Sequence, residues 1–162
     1  MAAHPHTARG PSGHAEHSLN LVALSATLHC LTGCAIGEVL GMIIGSALGW
    51  SNWGTIALAV ALAFLFGYFL TSLPLLRAGL ALSAVIPIAL ASDTISIAIM
   101  EVVDNAIMLL IPGAMDATLD EIGFYAALTA ALIIAGAAAY PINRWLISRG
   151  KGHAVVHEHH AH

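Results

Sequence analysis

Residues 29–38 read HCLTGCAIGE and lie inside a long apolar segment that runs from about residue 19 to residue 50. If this segment is a helix, side chains that can carry chemistry recur every fourth residue and share one stripe: Cys30, Cys34, Glu38 and Met42. Glycines recur at the same spacing from Gly33 to Gly49. We therefore expect a reactive face within the hydrocarbon and, beside it, a glycine face on which a second helix packs closely.

The composition is typical of an integral membrane protein. Of the 162 residues, 59% are hydrophobic and only 9% are charged, and the mean hydropathy is +0.86. A soluble domain would be about 25% charged. Four apolar stretches each reach the ~20 residues that cross a bilayer as a helix. The formal net charge of -4 comes from few, localised charges, and no nucleic-acid partner is expected.

The sequence predicts an all-α, polytopic membrane protein with four transmembrane helices, at about 19–50, 53–72, 83–111 and 122–145. These helices form one domain, 19–147, between two His-rich tails, 1–18 and 148–162. The first tail has no apolar period and contains Pro and Gly, so we expect it to be flexible and not a signal peptide. The segment 73–79 is predicted to be a loop, and Pro112-Gly113 ends the third helix before the acidic loop of Asp116, Asp120 and Glu121.

The basic residues predict the orientation. Arg9 precedes the first helix, Arg77 lies between the second and third, and the last three follow or close the fourth: Arg144, Arg149 and Lys151. The other two connections contain no Lys or Arg. Because basic residues favour the cytoplasmic side, we expect both termini in the cytoplasm.

The third predicted helix carries an unusual acidic load. Asp93, Glu101 and Asp104 follow the three-and-four spacing of one face, with Met100 beside them. A charge at the bilayer centre costs at least ~2.5–3.5 kcal/mol, and no Lys or Arg lies within any apolar core to neutralise it. Protons, a bound cation or water in a cavity must do so.

Matching depths brings the first and third helices together, because both run in the same direction. Glu38 then lies level with Glu101, and Met42 with Asn105. Nearer the cytoplasm, His29 and Cys30 lie level with Asp93. If the two polar faces meet, they enclose a column of His, Cys, Glu, Met and Asp side chains between the helices.

The sulfur and imidazole groups of this column favour a soft transition-metal ion, Cu(I) first and Zn(II) second. The predicted ligands are His29, Cys30, Cys34, Glu38, Met42, Asp93, Met100, Glu101 and Asp104. Three carboxylates would also hold protons that the metal displaces: Glu38, Glu101 and Asp104.

Plainer interpretations stand beside this one. The glycines can be a packing device alone, the methionines and cysteines ordinary apolar residues of a membrane core, and the tail histidines merely solubilising. Asn105 and Asn143 can simply bond across helices. Arg144 and Trp145 are typical of a membrane interface, with no chemistry assigned to them.

Three runs of this sequence together are familiar: HCLTGCAIGE at 29–38, DTISIAIMEVVDN at 93–105 and PINRWLISRGKGH at 141–153. They resemble a bacterial family of small four-helix membrane proteins catalogued only as a domain of unknown function. The resemblance covers roughly residues 17–157. It implies placement in the bacterial inner membrane and implies no activity.

Several functions remain open at this stage. The first is a metal transporter or channel, expected to be a homo-oligomer in the lipid bilayer that exchanges ions with a cytoplasmic or periplasmic metal carrier. The second is a membrane thiol oxidoreductase, or a haem- or quinone-linked variant with His29 as the axial ligand. The third is a metal-delivery assembly factor for a respiratory enzyme. An enzymatic activity is therefore uncertain and is the less expected outcome.

Overall fold

The computed structural model describes residues 11–114 and 121–149, with side chains described from residue 16 onward. These residues form four helices: α1 (Pro11–Ala47), α2 (Asn52–Arg77), α3 (Leu82–Leu110) and α4 (Ile122–Ser148). Each contains a stretch long and apolar enough to cross a membrane, with mean hydropathies from 1.6 to 2.2. The all-α class and the four helices of membrane-spanning length that the sequence predicts are confirmed.

The start of α1 and the end of α2 differ most from the prediction. The ends of α1 and α4 each differ from it by three residues, and the remaining boundaries lie within one residue of it. α1 begins at Pro11, so residues 11–18 of the predicted flexible tail are helical. Proline suits this position because its fixed φ matches a helix start, where its missing N–H would have no partner. Residues 1–10 of that tail, and the final segment from residue 150, lie outside the described residues.

α2 continues to Arg77, through Pro74 and most of the predicted loop 73–79. A proline inside a helix removes one backbone hydrogen bond and usually ends or kinks the helix. Here tertiary packing prevails, since Leu75 directly after the proline is completely buried. The chain turns only at Gly79, whose φ of +88° is the left-handed conformation that glycine adopts readily.

The glycine stripe of α1 packs closely on a second helix, as predicted, and the structure identifies that helix as α2. A Cβ atom on Gly33 would lie 2.7 Å from the Cα of Gly67, so the two backbones are in contact. The next glycines along α1 meet the next small residues back along α2 in antiparallel register, pairing Gly37 with Ala63, Gly41 with Ala59 and Gly45 with Thr55. α2 therefore carries the matching small-residue stripe.

The helices form a bundle in which α1 and α3 each pack on α2 and α4, and meet each other across the centre. Small residues of α2 and α4, such as Ala63, Ala135 and Ala139, surround this centre. Their lack of bulk lets the polar faces of α1 and α3 lie in the interior. The architecture thus converts two polar helix faces into one buried column.

Candidate functional site

The predicted site residues line the interior of the bundle. On α1, Cys30 and Cys34 are at most 1% exposed, and Glu38 and Met42 are also buried. On α3 the buried residues are Asp93, Met100, Glu101 and Asp104. His29 is the exception because it is half-buried. The two faces therefore meet in the bundle interior.

A first polar cluster lies towards the end of the bundle where α2 and α3 connect. The thiol of Cys30 donates to Asp93 across the bundle, with Sγ 3.9 Å from Oδ1. Ser92 donates to the same oxygen at 2.9 Å, and Thr71 of α2 lies beside the carboxyl group. The predicted equal depth of Cys30 and Asp93 is thus what the structure has. We call Cys30, Ser92, Asp93 and Thr71 the thiol cluster.

His29 lies next to this cluster and faces α2. Its ring lies near the backbone of Leu70. The Leu70 carbonyl is the one that would accept the N–H of residue 74 in an uninterrupted helix, and proline has no N–H. His29 is therefore placed beside a backbone group that Pro74 leaves without its helical partner.

A second cluster lies about 12 Å further along α3, because eight residues at 1.5 Å each separate Asp93 from Glu101. The carboxyl groups of Glu38, Glu101 and Asp104 are close enough to act on one another electrostatically. Asn105 links the helices, since its Nδ2 lies 3.4 Å from Glu38 Oε1 and 2.9 Å from the Glu101 carbonyl. We call Glu38, Glu101, Asp104 and Asn105 the carboxyl cluster.

The depth match at this cluster is as predicted for Glu38 and Glu101, but Asn105 differs. Its side chain contacts Glu38, whereas the sequence predicts that it lies level with Met42. Long side chains of a helix point back towards its N-terminus, so Asn105 reaches one turn down to the carboxyl group. Cys34 also lies near Glu38 and Glu101, which joins the second thiol to the carboxyl cluster.

Asn143 of α4 connects three helices beside the thiol cluster. Its Nδ2 donates to Thr27 Oγ1 of α1 at 2.9 Å and to Ser96 Oγ of α3 at 3.0 Å. The sequence allows such a bond for Asn143 but does not identify its acceptors. Thr27 and Thr71 were not predicted as site residues. For Thr27 a signal exists, because it precedes Cys30 by three residues on the same helical face.

Within the part of the chain that the structure describes, the column contains carboxyl groups and no Lys or Arg side chain. Neither oxygen of Glu101 or Asp104 has a hydrogen-bond partner among the described residues, and these side chains are 4% and 1% exposed. Arg144 lies near the helix ends, where it bonds Asn20 at 2.7 Å, and Arg149 stacks on Trp145 at 4.6 Å. Both contacts lie at the surface of the bundle.

The thiols are not joined, since Cys30 and Cys34 are both free cysteines. In the described part of the chain, no three His, Cys, Asp or Glu side chains gather closely enough to hold a metal ion. Of the predicted acidic loop, Asp116 and Asp120 lie outside the described residues, as do the histidines at both ends of the sequence. The arrangement is a buried row of thiol and carboxyl groups.

The family comparison accounts for all four helices. The chain belongs to the family Domain of unknown function (DUF4396), whose profile matches residues 21–152. The matched region contains the thiol cluster, the carboxyl cluster and Asn143. The resemblance inferred from the three sequence runs is thereby confirmed. No curated protein and no solved structure matches the chain.

Proposed function

We propose that this DUF4396 protein binds and transports a soft transition-metal ion, Cu(I) before Zn(II), along the column between α1 and α3. The observation that carries the proposal is the pair Glu101 and Asp104. Their four carboxyl oxygens are buried without hydrogen-bond partners in the described structure, in a column that has no cationic side chain.

The buried carboxyl groups of the column need a cation or protons to compensate their charge. An ionisable group inside a membrane helix is costly, and such groups usually mark an ion or proton pathway. Glu38, Glu101 and Asp104 act on one another, so full ionisation of all three would add mutual repulsion to the cost of burial. A cation or protons are needed to relieve both costs.

The two thiols of the column favour a soft metal ion. Cys30 contacts Asp93, and Cys34 lies near Glu101, so each thiol has a carboxyl group beside it. A thiol must lose its proton to bind a metal, and a neighbouring carboxylate can accept that proton. Thiolate, thioether and imidazole ligands favour Cu(I) over the hard cations that carboxylates alone would select.

Binding also requires movement of side chains, because the described residues hold no ready group of three ligands. His29 would leave Leu70 to join Cys30, and Met100 lies about two turns beyond Asp93 on α3, in the same buried cluster as Cys30. In the carboxyl cluster, protons leave as the ion enters, so transport couples to proton movement through Glu38, Glu101 and Asp104.

We further propose the bacterial inner membrane as the location, with both termini in the cytoplasm. The support is the distribution of Arg and Lys in the sequence. The His-rich ends would then exchange the ion with a metal carrier. A homo-oligomer in the bilayer remains part of the proposal, because four helices alone leave little room for a wide pore.

Burial argues against the thiol oxidoreductase alternative. Cys30 and Cys34 are 0% and 1% exposed, and thiol–disulfide exchange with a partner requires access to the attacked sulfur. A metal-delivery factor would use the same site without net transport. Only a transport measurement therefore distinguishes it from a transporter.

Metal content of the purified protein, prepared without an added tag, tests the proposal. Joint substitution Cys30→Ser and Cys34→Ser should remove the metal bound in the column while the natural His-rich ends remain intact. Ala26→Ser is the matched control, because it places a hydroxyl at a buried position one turn before Cys30 on the same helix and removes no thiol. Equal Cu(I) content in all three proteins would contradict the proposal.

Uptake of Cu(I) into proteoliposomes separates transport from storage or delivery. Wild-type protein should accumulate the ion down an imposed gradient, and the double serine variant should not. A protein that binds Cu(I) through both thiols but moves none would be a storage or delivery factor. A visible absorption band of haem or flavin would instead favour the redox alternative.

A further inference from the structure

An apolar cluster lies beyond the polar column towards each end of the bundle. At the α2–α3 end, Leu75 and Val85 are completely buried and pack with Leu80 and Ile88. At the other end, Met42, Met108, Phe124 and Leu128 form a larger apolar cluster. An ion that enters or leaves along the column therefore has to pass one of these two clusters.

The helices are locally weakened at the α2–α3 end. Three helices contain an internal proline, and all three prolines lie towards this end: Pro74, Pro87 and Pro141. Each removes one backbone hydrogen bond from its helix and so locally weakens it. Leu75 directly follows Pro74, and Val85 lies two residues before Pro87. Both buried apolar residues of this end thus lie at weakened points of their helices.

The rest of the α1–α2 interface is tightly packed along the glycine stripe. From Gly33 to Gly45, every fourth residue of α1 packs against the backbone or a short side chain of α2. Backbones in such contact have no side chains whose rotation could absorb a relative shift. Movement of α2 is therefore expected beyond Gly67, in the segment that carries Pro74 and Leu75.

His29 joins the site to this segment. Its ring lies near the Leu70 backbone, whose carbonyl Pro74 leaves without its helical partner. A donor next to Cys30 is thus placed to stabilise the weakened part of α2. If His29 turned to a metal ion, that contact would be lost and the segment would be released.

We propose that the α2–α3 end is the gate of the column, with Leu75 and Val85 as the plug and His29 as the link between gate and site. The inference rests on the proposed function only for the identity of the ion that passes. The gate itself is a statement about access to the column, and it can be measured without any metal.

The native Cys30 reports on the gate. In a Cys34→Ser background, Cys30 is the sole thiol and should react slowly with a cationic methanethiosulfonate reagent, because it is completely buried. Truncating the plug by Leu75→Ala with Val85→Ala should raise the reaction rate by at least about tenfold, since lost packing favours the open state. The increase should appear only for reagent added on the α2–α3 side.

Two controls make this result specific. Leu76→Ala changes an exposed neighbour of the plug and should leave the rate unchanged. Phe124→Ala weakens the apolar cluster at the opposite end, so any rise in rate that it causes should be seen with reagent added on that side. An unchanged rate in the plug variant, an equal rise with Leu76→Ala, or entry from the wrong side would overturn the gate.

Folding is checked by thermal unfolding in detergent, and if the double variant does not fold, Val85→Ala alone should give a smaller rise in the same direction. His29→Phe tests the link, because it removes the donor to Leu70 and should raise the rate, whereas His29→Gln keeps a donor and should not. Loss of Cu(I) binding with a working gate would refute the proposed function and leave this inference intact.

Discussion

At the scale of single residues, Glu101 is a side chain whose chemistry the sequence locates well. Three carboxyl groups on one apolar helix, with no Lys or Arg to match, already indicate an ion or proton pathway. The structure adds that Glu101 has no hydrogen-bond partner among the described residues and lies near Glu38, Asp104 and Cys34. These neighbours come from a different helix or a different turn, so the sequence alone could only propose them.

Glu101→Gln should weaken the dependence of transport on pH. Under the proposed function, protons and the metal ion compete for the same oxygens, so acidifying the loading side of the wild type should slow uptake. An amide cannot exchange a proton in this range, and the variant should show a flatter profile with a lower rate. Proteoliposome uptake at several pH values measures both. Glu16→Gln, at an exposed position, is the control, and an unchanged profile for Glu101→Gln would remove this carboxylate from the mechanism.

Asn143→Ala should destabilise the bundle without touching the column's sulfur groups. The substitution leaves the hydroxyls of Thr27 and Ser96 without their shared donor. Two interhelical hydrogen bonds in a membrane protein are together worth about 1–2 kcal/mol. Reversible unfolding in mixed micelles measures the loss. Asn52→Ala, at the exposed start of α2, should cost far less, and equal stabilities for the two variants would contradict this role of Asn143.

At the scale of elements, the glycine stripe shows which packing partner a pattern predicts and which it does not. Four-residue spacing predicts a close helix neighbour for α1. It does not say which helix, and α2 is identified only by the facing residues Gly67, Ala63 and Ala59. The same element shows where local rules fail, because α2 continues through Pro74 under the influence of Leu75 packing.

Gly37→Ala should separate α1 from α2. The added Cβ would collide with the backbone at Ala63, which cannot rotate away. Overpacking of this kind costs about 1–3 kcal/mol. Thermal unfolding in detergent measures the effect. Gly123→Ala is the matched control because nothing lies within 4 Å of its added Cβ, and its stability should be unchanged or slightly higher.

At the scale of the whole molecule, four alternating helices put the α1–α2 turn and the α2–α3 turn at opposite ends of the bundle. The arrangement by itself does not say which end faces the cytoplasm. That assignment depends on the basic residues, and Arg77, next to the α2–α3 turn, lies at the end that we propose to be cytoplasmic.

Single cysteines in a Cys30→Ser, Cys34→Ser background test the assignment. In intact spheroplasts, a membrane-impermeant maleimide should label Ser51→Cys, just before α2, and should not label Ala78→Cys. In inside-out vesicles the pattern should reverse. Both positions are exposed, so a difference between them reports sidedness and not burial. Labelling of Ala78→Cys in spheroplasts would invert the proposed topology and with it the side to which the gate opens.

The sequence by itself determined the number of helices, their membrane-spanning length and the polar faces of the first and third helices. These features follow from periodicity and composition, which act within one helix and can be read along the chain. Tertiary structure alone decided that α2 packs on the glycine stripe, that Asn143 bonds Thr27 and Ser96, and that Leu75 and Val85 pack together at one end. Each of these depends on contacts between residues far apart in sequence, whose energies have no local signature.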